Sequence, residues 1–237
     1  MEINVYPRTV TSIVNKNRSG KTKIVGITMN INSKKDLENI IQYEKKMWIA
    51  RMYPQGAPSK VRSITLLYMK ALRKVEYYGK LPKKAKICAG GGGYIFWKSM
   101  YRIVGLITNV SIPPYVFDKG LLIMHLQNIV VSAKVRVGEN TCLFHNTTLG
   151  IKLGHNTDGK CPVIGNGVTI CAGACVLGDV HIEDGITVAA NAVVTKSYTE
   201  KDVILGGIPA KVIGKNPDWS MQEFADKIIY LGREDSE

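Results

Sequence analysis

The sequence contains no run of about 18 apolar residues, which is the length that a membrane-spanning helix needs. Its opening segment, MEINVYPRTVTSIVNKNRSG, has no apolar core followed by a small-residue cleavage site, so it does not resemble a secretory signal. The five cysteines show no close pairing, which is typical of a reducing compartment. These absences predict a cytoplasmic protein, at most peripheral at the inner face of a membrane.

Acidic residues and histidines are scarce in the first half of the chain. Residues 1–117 hold 21 Lys and Arg against 5 Asp and Glu, with no histidine, whereas residues 118–237 hold 11 against 14. A basic region of this kind is either a solvated helical surface or a contact for a polyanion such as an anionic glycan or membrane. We expect no nucleic-acid partner, and no catalytic constellation appears in this half.

Amphipathic patterns in the first half predict three helices. Ser33 is a good N-cap for the first helix, and the second follows a break at residues 54–58. The first helix has Leu37, Ile40, Ile41, Tyr43, Met47 and Trp48 near helical spacing, and the second directs Leu66, Leu67, Met69, Leu72, Val75 and Tyr78 inward. YIFWKSMYRIVGLI, residues 94–107, forms the third. The run Gly90–Gly93 lacks the lysine and preceding strand of a phosphate loop, so we interpret it as a linker.

Branched aliphatic residues recur every six positions in the second half, a spacing that neither a helix nor a strand produces. The frame consists of Ile164, Ile170, Val176, Ile182, Val188 and Val194, and it extends back through Val131, Val137, Leu143 and Leu149. A second set repeats in the same step: Val168, Ala174, Val180, Ile186 and Ala192. Such a repeat indicates a solenoid, and three six-residue sides make one triangular coil. We therefore predict a parallel β-helix.

Two segments depart from the repeat. The polar segment 150–162, GIKLGHNTDGKCP, breaks the frame and should be a loop extruded from the coil, because solenoid insertions collect on one face. The segment GGIPAK should cap the coil, and a short helix is expected within residues 217–237.

The hexad frame, together with VTICAGACVLG, AANAVVTK and GGIPAKVIGK, resembles the hexapeptide-repeat acyltransferase superfamily. The resemblance implies a left-handed β-helix, a homotrimer with active sites between subunits, and acetyl-CoA as the acyl donor without a metal. Residues 120–150 are similar to the serine acetyltransferase branch, and the N-terminal pattern looks closer still to acetyltransferases of capsule and exopolysaccharide gene clusters. Three regions follow: a basic helical region (1–110), a left-handed β-helix acyltransferase domain (111–216) and a C-terminal helix or tail (217–237).

Four histidines are candidates for the base that acyl transfer to an alcohol requires. A hydroxyl is a poor nucleophile at neutral pH, and a neutral imidazole can take its proton. His125 matches the catalytic histidine of the serine acetyltransferases, which implies the role of general base. His145 lies one coil further on and is expected to line the same cleft, whereas His155 lies in the extruded loop and His181 at a solvated corner.

Small residues and lysines near the end of the coil are candidates for the donor site. Ala172, Gly173 and Ala190 would leave a groove for the thin pantetheine arm, and lysines would meet the phosphates. Similarity to the galactoside acetyltransferases implies cofactor contacts at Ala172, Ala190, Thr195, Lys196 and Lys211. The alternative is that the small residues only fit tight corners and the lysines only solubilise the protein.

The acceptor prediction rests on charges that are missing. Serine acetyltransferases place one aspartate directly before the catalytic histidine, another aspartate upstream of it, and a second histidine later in the chain. At these three places this chain has, in the same order, Met124, the acid-free region around Ser111, and Cys161. The nearest acid, Asp118, is expected at a corner outside the cleft. Because a buried amino acid needs partners for both its charges, we expect the acceptor to be a sugar hydroxyl of a surface polysaccharide and free serine to be poor.

Three alternatives remain open. The first is a serine O-acetyltransferase of cysteine biosynthesis. The second is a zinc lyase like the gamma-class carbonic anhydrases, for which His125, His145 and His155 could supply the ligands. The third is a non-catalytic scaffold.

Overall fold

The computed structural model describes residues 14–16, 22–24, 31–58, 63–82, 91–152 and 159–216. Strands β1 (Val14–Lys16) and β2 (Thr22–Ile24) form an antiparallel pair. Three helices follow, α1 (Lys34–Met52), α2 (Ile64–Lys80) and α3 (Gly91–Thr108). Within these ranges, every helix is too short or too polar to cross a membrane.

The first predicted helix is confirmed, including its start. The Ser33 hydroxyl accepts a hydrogen bond from the backbone N–H of Asp36 (3.0 Å), and the Asp36 carboxylate accepts one from the N–H of Ser33 (3.0 Å). This reciprocal capping satisfies two N–H groups that a helix start otherwise leaves unpaired. The helix buries Leu37, Ile41, Met47 and Trp48 as expected, together with Glu44, which the pattern did not predict.

The second and third helices differ from the prediction in detail. Leu66, Leu67 and Tyr78 are only half-buried, whereas Arg73 is fully buried. The reason is that α2 packs against α1, α3 and the segment before the first coil. Its buried face therefore includes Arg73, whose guanidinium donates to a carbonyl of that segment. The third helix begins at Gly91, so the linker prediction for glycines 91–93 is wrong; Gly90 lies outside the described residues.

The rest of the described chain consists of short strands. In order they are β3 (Val110–Ser111), β4 (Leu122–Ile123), β5 (Ile129–Val131), β6 (Arg136–Val137), β7 (Cys142–Leu143), β8 (Thr148–Gly150), β9 (Val163–Ile164), β10 (Thr169–Ile170), β11 (Cys175–Leu177), β12 (His181–Ile182), β13 (Thr187–Val188), β14 (Val193–Val194), β15 (Val203–Gly206) and β16 (Lys211–Lys215). Sheet I has the order β16-β15-β13-β10-β7-β4, sheet II the order β14-β11-β8-β5-β3, and sheet III the order β12-β9-β6.

The chain visits the three sheets in a fixed cycle, from II to III to I, and pairs in parallel with the previous coil. Thr169 pairs with Thr187 and Cys175 with Val193, which are steps of 18 residues, or three hexads. The step is 27 where the loop after β8 intervenes, as between Cys142 and Thr169. The register therefore confirms a mainly β architecture of parallel sheets behind a helical region.

The six-residue frame forms the core of this solenoid. All ten frame positions are at most 3% exposed, and all five positions of the second set are at most 4% exposed. Each large aliphatic side chain buried in this way contributes about 1.5–3 kcal/mol relative to exposure. Each side of each coil therefore buries one residue of the frame against the coils above and below it. This is the reason that the aliphatic residues recur every six positions.

The two predicted interruptions are present with altered limits. Gly150 still pairs with Leu177, and the carbonyl of Pro162 accepts from the N–H of Arg136 (3.2 Å), so the loop is shorter at both ends than 150–162. Residues 153–158, with His155, lie outside the described residues. Strand β16 closes the end of sheet I by pairing antiparallel with β15, as expected of a cap. The predicted helix within 217–237 also lies outside the described residues.

A buried ionic cluster joins the helices to the first coil. The Arg73 guanidinium contacts Glu44 (2.6 Å) on α1 and Glu76 (2.9 Å) on α2, and it donates to the carbonyls of Phe117 (3.0 Å) and Asp118 (2.6 Å). Burial acts to lower the pKa of Arg73, but the two carboxylates outweigh it and hold that pKa above its usual value. The arginine therefore stays charged and fully hydrogen-bonded.

Replacing this arginine should strongly destabilise the protein. Arg73→Met would leave two carboxylates buried without their cation, and losing one partner of a buried pair costs about 3–5 kcal/mol. The control is Lys70→Met, an exposed lysine on the same helix, for which a loss below about 1 kcal/mol is expected. Urea unfolding followed by circular dichroism measures both, and similar midpoints for the two variants would contradict the role of the cluster.

Candidate active site

Five predicted site residues lie at one corner of the solenoid, on four successive coils. This is the I–II corner, defined as the turns that connect each sheet I strand to the next sheet II strand. His125 follows β4, His145 follows β7, Ala172 with Gly173 follows β10, and Ala190 follows β13. Because these strands are neighbours in sheet I, two histidines and then two alanines line the corner on successive coils.

The two histidines lie against each other. Their ring centroids are 5.5 Å apart with an interplanar angle of 73°, an edge-to-face arrangement. His125 is exposed and His145 is half-buried. The Nδ1 atom of His145 is buried and has no hydrogen-bond partner among the described residues. The structure thus brings together the pair that the sequence indicated, with the more accessible imidazole at His125.

The turn that carries His125 is two residues longer than the turn below it. Leu122 pairs with Cys142, a step of 20, but Val130 pairs with Thr148, a step of 18. On one side of the turn, the N–H of Met124 still donates to the carbonyl of the next coil, and on the other the carbonyl of Gln127 still accepts from it. The two additional residues are therefore His125 and Leu126. Leu126 is buried in the core. His125 therefore protrudes from a bend after β4 and does not lie within a strand.

Residues with positive φ form the tip of this corner. Asn128, Asn146, Gly173 and Asn191 have φ of 50°, 56°, 73° and 57°. The amide of Asn128 donates to the side-chain oxygen of Asn146 (3.0 Å), continuing a ladder that starts at Asn109. Gly173 interrupts the ladder, and a Cβ there would lie 2.1 Å from Oδ1 of Asn191. A glycine is therefore required at position 173, because φ is positive there and because Asn191 lies too close for a Cβ. Since Gly173 has no side chain, this edge of the coil stays uncovered.

The other predicted donor residues do not lie together. Thr195 and Lys196 follow β14, at the edge of sheet II opposite the I–II corner, and the Lys196 ammonium lies 5.4 Å from the centroid of the Tyr198 ring. Lys211 begins β16 and pairs with Gly206 at the end of β15, on the side of the I–II corner. The predicted donor residues therefore span the width of sheet II, a distance that only an elongated ligand could cover.

The I–II corner has no carboxylate in the part of the chain that the structure describes. Met124 is half-buried, Ser111 lies in β3, and Asp118 precedes β4, at the opposite end of that strand from His125. Cys161 is buried near the start of β9, with its Sγ 3.3 Å from the Ser132 hydroxyl. The positions where acids and a second histidine were expected therefore supply no charge to this corner.

Metal ligands are also not assembled in the described ranges, where no group of three or more His, Cys, Asp or Glu residues could hold an ion. The third histidine that a zinc lyase would need, His155, lies outside those ranges. The four described cysteines are free thiols.

One half-buried cation beside sheet I was missed from the sequence. Burial raises the pKa of the Cys142 thiol on β7, and the charge of Arg51, in the last turn of α1, opposes that shift. The available signal was its spacing: Arg51 follows Met47 by four residues and Trp48 by three, so it continues the buried face of the helix.

Comparison with known proteins places the chain in a family. No protein-family model matches it. The serine acetyltransferase of Helicobacter pylori (strain 26695) is 30% identical over 124 residues, which cover 52% of this chain and 71% of that protein. The chain belongs to the serine acetyltransferase family. Serine acetyltransferase 1 of Arabidopsis thaliana chloroplasts is 31% identical over 135 residues, but the match covers only 42% of it, so this family member spans less than half of some relatives.

Solved structures of the family show the same fold. Serine acetyltransferase from Brucella abortus in complex with coenzyme A aligns with a TM-score of 0.58 at 23% identity, covering 78% of this chain and 70% of that one. At this identity the likeness concerns the fold alone.

The expectation of a polysaccharide acceptor is wrong, because these relatives are serine acetyltransferases. The physical reason for the error is that the residues of the repeat do not by themselves determine the charges around a substrate. A helix packed on the coil, as α1 is packed on β4, can supply charged partners as well.

Adding a methyl group at Gly173 should destabilise this family member and disturb the corner. Gly173→Ala is expected to cost about 1–2 kcal/mol for the left-handed backbone, plus the displacement of Asn191. Gly56→Ala is the matched control, because Gly56 has φ of 116° but no atom within 4 Å of its added Cβ. Thermal unfolding should show the larger loss for Gly173→Ala and a partial recovery in Gly173→Ala/Asn191→Gly. Equal losses at both glycines would mean that Asn191 imposes no restraint.

Proposed function

We propose that the protein is a serine O-acetyltransferase, which transfers the acetyl group of acetyl-CoA to the hydroxyl of serine and thereby supplies cysteine biosynthesis. The observation that carries the proposal is the exposed His125 at the I–II corner of a chain that belongs to the serine acetyltransferase family. Neither a zinc lyase nor a scaffold finds comparable support.

His125 acts as the general base in this proposal. Its imidazole takes the proton of the serine hydroxyl while the oxygen attacks the acetyl carbonyl. A backbone N–H at the cleft stabilises the tetrahedral oxyanion, whose collapse breaks the carbon–sulfur bond. The thiolate of coenzyme A then recovers the proton, so O-acetylserine and coenzyme A leave without a covalent enzyme intermediate. His145 supports the ring of His125 through their edge-to-face contact.

Acetyl-CoA lies along sheet II in this proposal. Ala172, Gly173 and Ala190 border the pantetheine arm at the I–II corner, where side chains are smallest. Thr195 and Lys196 meet the phosphates at the opposite edge of sheet II, and Lys211 meets them from β16, the strand that caps sheet I. Ammonium groups pair well with phosphate oxygens. The coenzyme A complex of the Brucella relative supports this choice of donor.

The finer architecture belongs to the same proposal. The solenoid is left-handed, and three copies assemble with active sites between them, so that a neighbouring subunit covers the exposed His125. The boundaries at residues 110 and 216 separate the helical region, the catalytic solenoid and the tail. Free thiols are the expected state in a reducing cytoplasm.

Thiol release from acetyl-CoA in the presence of L-serine tests the proposal. We expect kcat/KM of about 10⁴ M⁻¹s⁻¹ or higher, the range of a genuine substrate. His125→Ala should lower turnover by about 10²- to 10⁴-fold and leave coenzyme A affinity nearly unchanged, since only the base is removed.

His181→Ala is the matched control, because His181 is an exposed histidine on sheet III. It should retain full turnover. Equal losses in His145→Ala and His125→Ala would leave the base unassigned between them, and normal turnover in His125→Ala would refute its role. No turnover with serine would refute the function.

Removing the two lysines should weaken coenzyme A binding. Lys196→Ala and Lys211→Ala are each expected to raise Kd by about 3- to 10-fold, with a larger effect together and a smaller one at high salt, as for exposed charge pairs. Calorimetry with coenzyme A measures this. Lys201→Ala, whose ammonium contacts Asp184 (3.1 Å), removes an exposed lysine of the same end of the solenoid and should bind normally. Unchanged binding in the double variant would place the cofactor elsewhere.

A further inference from the structure

Helix α3 is apolar on the side that faces solvent. Its inner side packs against α2 and β3, where Val104 is buried and Tyr101 stacks on Tyr68 of α2. The opposite side of a surface helix is ordinarily polar. In α3 that side forms a stripe of five large apolar side chains, each 53–83% exposed, here called the outer face of α3: Ile95, Phe96, Ile103, Leu106 and Ile107. A contiguous exposed apolar surface of this kind marks a site of interaction.

Cations border the outer face on both sides. At about 100° per residue, Lys98 and Arg102 lie one turn apart along one edge of the stripe, and Arg102 is exposed. Along the other edge, the Lys70 ammonium of α2 lies 5.4 Å from the centroid of the Trp97 ring, which in turn contacts Phe96 edge to face with ring centroids 5.2 Å apart. The apolar stripe therefore has positive charge along its whole rim.

Acidic residues are missing from the stretch of chain that contains α3. The sequence has no Asp or Glu between Glu76 and Asp118. The same interval contains six basic residues: Lys80, Lys83, Lys84, Lys86, Lys98 and Arg102. The nearest acids of α1 and α2, Glu44 and Glu76, are buried around Arg73 and do not reach the surface. The partner of the outer face must therefore accept apolar side chains and supply negative charge around them.

A second copy of this chain fits the outer face poorly. In a twofold contact the same face meets itself, so the basic rims would lie against each other. A second exposed apolar cluster, formed by Ile208, Val212 and Ile213, lies at the far end of the solenoid, and it is flanked by Lys211 and Lys215. A contact between these two clusters would join unlike ends of the molecule, which produces open chains of copies, and it would again oppose lysines to cations.

The surface of an anionic lipid bilayer meets both requirements. An amphipathic helix can lie in the membrane interface with its apolar face about 5–10 Å deep, while anionic headgroups attract the lysines and arginines beside it. Helix α3 has 18 residues and is too polar to cross a membrane, but Trp97 at its rim has the amphipathic ring that favours this interface. We infer that the outer face of α3 docks on an anionic bilayer with the helix parallel to the membrane plane. This docking is independent of the proposed acetyl transfer.

Co-sedimentation with lipid vesicles tests the inference. The protein should bind vesicles of phosphatidylcholine and phosphatidylglycerol in a ratio of about 2:1, and bind pure phosphatidylcholine about 10-fold or more weakly. Raising the salt concentration should weaken binding to the anionic vesicles, because exposed charges are screened. Leu106→Gln/Ile107→Gln removes apolar contacts without changing the charge, so it should lower the affinity for anionic vesicles by about 10-fold or more.

Lys98→Gln/Arg102→Gln tests the basic rim separately. It should lower the affinity for anionic vesicles by about 10-fold and leave binding to pure phosphatidylcholine unchanged. The matched control is Ile208→Gln/Ile213→Gln, because these side chains are 74% and 65% exposed at the opposite end of the solenoid. This control should bind vesicles like the unsubstituted protein.

Several outcomes would overturn the inference. They are absence of binding by the unsubstituted protein, equal binding to neutral and anionic vesicles, and unchanged binding in the outer-face variants. Light scattering without lipid gives the molar mass, and if Leu106→Gln/Ile107→Gln lowers it, the face is a contact between copies and the inference is wrong. If that variant does not fold, Lys98→Gln/Arg102→Gln decides, since a loss confined to anionic vesicles supports the inference and no loss refutes it. Serine acetylation without lipid is measured in parallel, so failure of the proposed function is a separate outcome.

Discussion

The placement of helices α1 and α2 on the solenoid depends on one buried arginine. Arg73 joins Glu44 of α1 and Glu76 of α2 to the carbonyls of Phe117 and Asp118, just before the first strand of sheet I. Buried charges stabilise a structure only when every partner is present, so this cluster permits one placement of the helices and penalises others. The Glu44 carboxylate also accepts hydrogen bonds from two backbone N–H groups of the coil, and these bonds fix the position of α1 along β4. The helix is thereby fixed on the strand that leads into His125.

The second constraint is the stacking of identical steps, and the candidate site arises where that stacking is broken. Regular coils repeat every 18 residues, and their corners need only small residues or residues that accept positive φ. Two additional residues in the turn after β4 move Leu126 inward and His125 outward. The next coil still carries His145, and the two coils after it carry Ala172 with Gly173 and then Ala190. A protruding base next to a bare edge is therefore a local consequence of one longer turn in an otherwise periodic chain.

The solenoid could be predicted from sequence because its period is a local property, and each hexad position has the same environment. The start of α1 was predictable for a similar reason, since Ser33 and Asp36 are near in sequence. Burial of Glu44 and Arg73 was not predictable, because charged residues on helices usually face water and these two meet across 29 positions. Glycines 91–93 were also misinterpreted, since helix formation there depends on packing of α3 against α2 and not on propensity. At the candidate site, the histidine pair followed from the repeat, whereas the two additional residues in the turn after β4 interrupt its period.

The acceptor illustrates the same limit. The repeat positions around His125 carry no acid, as expected from the sequence. An uncharged substrate does not follow from that absence. A solenoid offers one residue per coil at each corner, so a small substrate in contact with two coils meets few side chains from the repeat itself. Any further contact must come from an element packed on the outside. In this chain α1 is such an element, since Glu44 and Trp48 hold it against β4. The side chains of the repeat therefore do not alone decide whether the acceptor is charged, and an amino acid is compatible with a corner that is neutral in its own sequence.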